Sequence, residues 1–325
     1  MSTMFLLIGL PFALIGAALA LGWLQTRRLT RMGAELVPQM GQIQPVDGGT
    51  IHYVEAGDPA KQTLVMIHGL SGQLQHFTYA LVDRLAQDHH VIALDRPGCG
   101  YSTRESAALA ALPEQARMIG AFLDAKGVEY PVLIGHSLGG AIALAMALER
   151  PRKLAGLALL CPLTHHMGST PPVFRPLELR TAWLRRLIGH TLAVPMAKWT
   201  AEKMLEQVFA PETCPEDFLD RAGGALGLKP QAFITASEDV VAADATIEAQ
   251  SRCYPKLDVP GAILFGAKDP ILLPTQHGVP MKKYGLRCEV LPGRGHMLPI
   301  TAPDECEEFI RGVSISTRVP ATLRG

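Results

Sequence analysis

Asparagine is absent from all 325 residues. That removes every N-glycosylation acceptor and any Cys-His-Asn catalytic triad. Cysteine is sparse: Cys99, Cys161, Cys214, Cys253, Cys288 and Cys306 stand singly, with no C-x-x-C spacing. A zinc ribbon or thioredoxin-like motif is thereby excluded, and the six read as buried thiols in a reducing compartment. Neither G-x-x-x-x-G-K-[ST] nor G-x-G-x-x-G occurs, so a nucleotide cofactor has no handle and no cofactor is expected. An excess of one charge is missing too: Lys plus Arg is 30 and Asp plus Glu is 30. The attraction that drives nucleic-acid binding is therefore lacking, and no nucleic-acid partner is expected. The adjacent pairs His89-His90 and His165-His166 miss the i, i+3 or i, i+4 spacing of two ligands on one helix, so no metal site is expected.

What the chain does have is a large apolar fraction, 48% against 18% charged residues, enough for a sizeable core in one large domain or two. Met4 to Leu24 carries no charge. As a helix this run is about 31 Å long, enough to cross a hydrocarbon core. Trp23 sits at its end, and Arg27, Arg28 and Arg31 follow while no Lys or Arg precedes. This predicts a transmembrane anchor over residues 1–34 with its basic flank, and the charge bias keeps the following domain in the cytoplasm. Ala18-Leu19-Ala20 leaves open a cleaved signal peptide and export.

Beyond the anchor, Gln42 to Pro45 and Thr50 to Glu55 read as strands around Asp47-Gly48-Gly49. Short apolar runs at Thr63–His68, Val91–Leu94, Pro131–Gly135, Leu154–Leu160, Gly261–Phe265 and Arg287–Leu291 then alternate with helical stretches. Such alternation predicts parallel βαβ units and a sheet covered on both faces. From about Pro162 to Tyr254 the alternation stops and the pattern turns helical. Leu179, Trp183 and Leu187, at i, i+4 and i+8, read as core between this insertion and the cleft, with a substrate- or membrane-facing wall as the other reading. Charge is segregated in the insertion: residues 173–203 hold six basic and two acidic side chains, and 204–220 hold five acidic and none basic. The expected organisation is a sheet domain of residues 40–162 and 252–312, a helical cap of 163–251 and a frayed tail of 313–325.

The chemistry concentrates at Gly135-His136-Ser137-Leu138-Gly139, between a predicted strand and a predicted helix. A side chain on so sharp a turn needs glycine on both sides, and the turn lifts Ser137 Oγ clear of the backbone. A serine hydroxyl is a weak nucleophile without an adjacent base. Asp269, just past the strand ending at Phe265, and His296, in the loop Pro292 to Met297, supply an acid and a base in the order Ser, Asp, His. All three sit at carboxyl ends of predicted strands, where open α/β sheets bind ligands. Asp239 and Asp258 are rival acids that follow no strand directly. The loop His68-Gly69-Leu70-Ser71-Gly72 offers the Leu70 N–H, and the turn offers the Leu138 N–H, as an oxyanion hole. His68 reads as a residue that orients this loop, not as a base.

Together with Asp95 to Ser102 and Gly266-Ala267-Lys268-Asp269, these segments resemble an α/β-hydrolase of the esterase/lipase type with a helical cap. The resemblance spans residues 68–296 and implies a mostly parallel eight-stranded sheet flanked by helices. With the anchor, the chain is similar to membrane-anchored monoacylglycerol-lipase-like members. Related haloalkane dehalogenases and epoxide hydrolases carry aspartate where this chain has Ser137, which argues against those activities. The expected function is hydrolysis of carboxylic esters, such as monoacylglycerols or medium-chain esters, through an acyl-enzyme. The same triad would serve a C–C hydrolase of ring-cleavage products, a lactonase or an acyltransferase, and a non-catalytic binding protein is the reading from another class.

Overall fold

The structure is a computed structural model that describes residues 2–317, with side chains from Leu10 onward. Among these residues nine strands form one sheet: β1 (Gln42–Val46), β2 (Gly49–Ala56), β3 (Thr63–Ile67), β4 (His90–Leu94), β5 (Thr103–Arg104), β6 (Val132–His136), β7 (Gly156–Leu160), β8 (Gly261–Gly266) and β9 (Arg287–Leu291). Their order is β1-β2-β4-β3-β6-β7-β8-β9, with the two-residue β5 added on β2. The first pairings are antiparallel; from β4 across to β9 every pairing is parallel. All residues of β3, β4, β6 and β7 are buried, which is why these strands read as unbroken apolar runs. The helix Leu138–Glu149, LGGAIALAMALE, has no polar side chain before its last residue and is buried on all sides. It lies in the middle of the core and carries the turn at Ser137.

The insertion is helical. It holds a helix at Ala182–Ile188, a π-helical segment at Gly189–Ala193, and helices at Val194–Phe209 and Pro230–Arg252. Its two ends are tied where Tyr254 Oη donates to Thr164 O at 2.7 Å. Three expectations need correction. The stripe of Leu179, Trp183 and Leu187 is not core. Its helix begins only at Ala182 and turns Arg185 inward, leaving Trp183 68% and Leu187 40% exposed. The tail does not fray from Ser314. The helix Pro303–Ser316 runs through it, and Ser314 is buried with its Oγ 2.9 Å from His89 Nε2. Residues past Thr317 lie outside the described ones.

The third correction concerns the anchor. No helix among the described residues is long and apolar enough to cross a membrane. Part of the run Met4 to Leu24 lies outside the residues whose side chains are described. The helix does not stop at Leu24 but continues from Ser2 to Leu36 through Arg27, Arg28, Arg31 and Glu35. Its second half docks on the cap: Thr26 Oγ1 donates to Thr191 O at 3.3 Å, and Thr30 Oγ1 to Leu228 O at 3.0 Å. A Cβ on Gly22 would come within 2.5 Å of Thr191 O, so only glycine permits so close an approach.

Candidate active site

Ser137 sits between β6 and the buried helix with φ 54° and ψ −119°, a conformation that side-chain-bearing residues rarely adopt. Ser71 and Cys161, which flank the same region, also have positive φ, at 53° and 42°. Strain of this kind costs on the order of 1–3 kcal/mol per residue and persists where surrounding structure imposes it. Here the imposing structure is the crowding of strand, helix and loop. A Cβ on Gly139 would lie 2.1 Å from Ile67 O, and one on Gly69 would lie 2.9 Å from Ser137 Cβ. The glycines on either side of the turn let β3, its loop and the helix meet at one point.

Asp269 and His296 are brought together. His296 Nδ1 lies 2.7 Å from Asp269 Oδ2, and both residues are buried. The other Asp269 oxygen, Oδ1, accepts from the backbone N–H of Ile271 at 2.8 Å and of Leu272 at 2.9 Å. Burial pushes this carboxyl up, but the His296 charge, the His296 hydrogen bond and the two amides outweigh it and hold it below the ordinary carboxylate value. An ionised Asp269 fixes Nδ1 as the protonated nitrogen and leaves Nε2 free; among the described residues Nε2 has no protein partner. The His296 loop in turn rests on the elbow, where His136 Nε2 donates to His296 O at 3.0 Å and the two rings meet tilted by 47°, their centroids 5.0 Å apart.

Leu70 and Leu138 line one pocket together with Ser137. Among the described residues neither their backbone N–H groups nor Ser137 Oγ has a protein hydrogen-bond partner. Unspent amides at the N-terminus of a helix are suited to a developing negative charge. Apolar side chains dominate the wall of this pocket, among them Leu163, Met167, Phe174, Val240, Ile247 and Ile271. His68 behaves as expected of an orienting residue. It is fully buried, accepts the Arg96 backbone N–H at Nε2 (3.0 Å), and bonds Gly69 O through Nδ1 (2.8 Å). Burial first, then the Arg96 charge, hold its pKa well below the ordinary value, so it stays neutral.

Three supporting groups escape a sequence reading. Buried Arg96 donates through Nη2 to Gly69 O at 3.1 Å, and through Nη1 to Asp239 Oδ2 at 2.7 Å. It thus ties the loop of Leu70 to the cap helix Pro230–Arg252. Glu212 of the cap accepts the Gly295 N–H at 3.0 Å, next to His296. Cys161 follows β7 directly, and its Sγ lies 3.8 Å from Gly295 O. Among the described residues Cys161, Asp269 and His296 form the one cluster of metal-ligand types, with their ligand atoms within 4.8 Å. The Asp269 oxygens are already committed to His296 and two amides, and burial raises the Cys161 pKa well above the ordinary thiol value. A neutral thiol and an engaged carboxylate fit a hydrogen-bonded support better than a metal centre. Of the rival acids, Asp239 is held by Arg96 and Arg104, and Asp258 is exposed.

The sheet order, the elbow and the acid–histidine pair are those of the α/β-hydrolase fold. A sequence profile described as the alpha/beta hydrolase fold matches residues 62–303, and the chain belongs to that family. The dihydrolipoyllysine-residue acetyltransferase component of the acetoin cleaving system of Cupriavidus necator is 35% identical over 122 residues, 38% of this chain and 32% of that protein. YugF of Bacillus subtilis, an uncharacterized hydrolase, is 33% identical over 129 residues, 39% of this chain and 46% of its own. The chain thus spans less than half the length of these curated relatives. The crystal structure of a membrane phospholipase A superposes with a TM-score of 0.66 at 22% identity, covering 96% of this chain and 99% of that one. At that identity the likeness is one of fold.

Proposed function

We propose that the protein hydrolyses carboxylic esters with apolar acyl chains, of the monoacylglycerol or medium-chain kind, through an acyl-enzyme on Ser137. The observation that carries this reading is the Asp269–His296 pair at 2.7 Å beside an elbow serine that opens into an apolar pocket. Ser137 Oγ attacks the ester carbonyl while His296 Nε2 takes its proton. The oxyanion receives the N–H groups of Leu70 and Leu138. His296 returns the proton to the leaving alcohol, and a water then repeats the sequence to release the acid. Asp269 keeps the imidazole in the required tautomer and stabilises its charge. Apo hydrogen bonds to the nucleophile are commonly long and tighten with substrate, which suits an unbonded Ser137 Oγ.

The pocket wall also supports ester over C–C bond cleavage of carboxylate-bearing ring-cleavage products. Among the described residues it contains Asp239 and Asp244 and no lysine or arginine. Asp239 is already neutralised by Arg96 and Arg104, so the wall offers a substrate carboxylate no lysine or arginine to pair with. A series of p-nitrophenyl esters tests the reading. kcat/KM is expected to rise by about tenfold or more from acetate to a medium-chain acyl group, since each buried methylene contributes about 0.8 kcal/mol. Acetate as the best ester, or faster turnover of a ring-cleavage product than of any ester, would contradict it.

A further inference from the structure

The chain has three tryptophans, and all of them face outward. Trp183 is 68% and Trp199 86% exposed on the cap, and Trp23 is 43% exposed on the N-terminal helix docked beside it. A scattered exposed leucine needs no explanation, but two large aromatics on one helical face do. Ala182–Ile188, the π-helical Gly189–Ala193 and Val194–Phe209 run on as one continuous helix. Along it Trp183, Leu187, Leu192, Met196 and Trp199 are spaced by four, five, four and three residues. The five-residue step falls in the π segment, whose wider turn absorbs the extra residue and keeps all five side chains in one stripe. All five are exposed.

The opposite face of this helix is occupied. Gly189, Thr191, Ala193 and Val194 are buried; a Cβ on Gly189 would lie 2.8 Å from Ile234 Cγ1 of the helix Pro230–Arg252. Thr191 carries the docked N-terminal helix through Gly22 and Thr26. That helix continues the apolar surface with Leu21 and Leu24, at 62% and 56% exposure. Exposed Arg180, Arg186, Lys198 and Lys203 rim the stripe, and exposed Arg27, Arg28 and Arg31 lie on the docked helix; against these seven stand exposed Glu178, Glu202 and Glu206 of the cap and Glu35 of the docked helix, so the surface keeps a basic excess.

We infer that this face of the cap lies on an anionic lipid bilayer, with the tryptophan stripe at the depth of the headgroups. An apolar stripe with tryptophan at both ends and a Lys/Arg rim is the composition of an interfacial helix. The charge decides between lipid and a second copy of the chain. A two-fold contact between two copies would bring the basic rims together, whereas anionic headgroups neutralise them. The pocket residues Met167 and Phe174 belong to the cap segment that leads into Trp183, so lipid-dissolved esters would be presented to the pocket's own wall. The surface stands apart from the ester-hydrolysis reading, since it rests on exposure and charge alone.

The three tryptophans make the test direct. In the full-length Trp23→Phe variant, only Trp183 and Trp199 fluoresce. Mixed phosphatidylcholine–phosphatidylglycerol vesicles are expected to shift that emission to the blue, and dibrominated phosphatidylcholine in the same vesicles to quench it. The Trp183→Glu/Trp199→Glu double variant is expected to lose about fivefold or more on a long-chain ester dissolved in the vesicles, yet keep short-chain p-nitrophenyl ester turnover within about twofold. Vesicle binding with unmoved, unquenched emission would assign all attachment to the N-terminal helix and overturn the proposal, as would no binding. Burial of the stripe in a lipid-free dimer, seen by sedimentation velocity, would overturn it in favour of a second copy. Should the protein prove not to be an esterase, the fluorescence arm still decides the surface.

Discussion

Asp269 gives one oxygen to His296 and the other to two backbone amides, whereas Asp239 gives its oxygens to Arg96 and Arg104. The Asp269→Asn change is expected to cost about 10⁴ in turnover with little change in KM, because an amide favours the wrong imidazole tautomer. Asp239→Asn leaves buried arginines short of charge and is expected to act mainly on stability, by about 3 kcal/mol. Steady-state kinetics and denaturation of both variants check the contrast. Asp269 also leaves a signature in acid. Its folded pKa lies below the unfolded one, so its stabilisation is complete above about pH 4 and is lost as pH falls through the folded value. The Asp269→Asn variant lacks that part of the acid limb. Ser137, Asp269 and His296 could be read from sequence because each follows a strand at a glycine- or proline-marked turn. Arg96 and Glu212 could not, since their partners lie far away in sequence, at Asp239 and Gly295.

At the level of elements, the N-terminal helix is where sequence and structure part. Its apolar composition is plain, but composition does not reveal that the face of Gly22, Thr26, Leu29, Gly33 and Val37, at helical spacing, packs inward. Those residues are small or ordinary, and their partners lie in the cap about two hundred residues away, at Thr191, Ala225 and Leu228. The helix is therefore part of the cap's packing and not a detachable address. A chain beginning at Glu35 is expected to melt several degrees lower, at roughly 2–4 °C per kcal/mol lost, with protease cleavage appearing first around residues 189–194 and 224–228. Gly33→Val in the full chain is expected to do the same on a smaller scale, since a Cβ there meets Ala225 O at 2.4 Å. Unchanged melting in both would mean that the docking contributes nothing. Eight of the nine strands lie within a residue or two of their expected positions, the parallel, doubly covered ones because they spell themselves out as apolar runs; the two-residue β5, a ninth strand beyond the expected eight, carries no such signal. The cap's exposed stripe does not, because helical periodicity marks a face without saying which side it turns.

Over the whole molecule, burial keeps several histidines neutral behind the site. His76 has no polar partner on either nitrogen and a pKa pushed down to about 4 by burial. His277 is brought to about 4 by burial and then the nearby His165 charge. Burial also leaves His68 and His136 well below the ordinary value. Unfolded, each would take up a proton near pH 6.5. Between that value and about 4 the unfolded chain binds more protons, so stability falls as pH drops through this window. His52 works the other way. Burial lowers it, but its Asp95 partner prevails and raises its pKa, so that contribution is present below about 6.5 and is lost as pH rises. The expected net result is a steep loss of unfolding free energy from pH 6.5 to 4. His76→Leu should recover on the order of 3 kcal/mol of that loss, read from urea melts across the range. A flat profile in the wild type would contradict the burial of these rings as neutral groups.

In the proposed mechanism Ser137, and no other residue, is made nucleophilic by His296 and Asp269. Covalent labelling with a fluorophosphonate, followed by peptide mass spectrometry, tests it most directly and needs no knowledge of the natural substrate. One adduct per chain is expected, on the peptide containing Ser137, with none in Ser137→Ala and a rate lower by about 10³ or more in His296→Ala. An adduct on another residue, or undiminished labelling of Ser137→Ala, would contradict it.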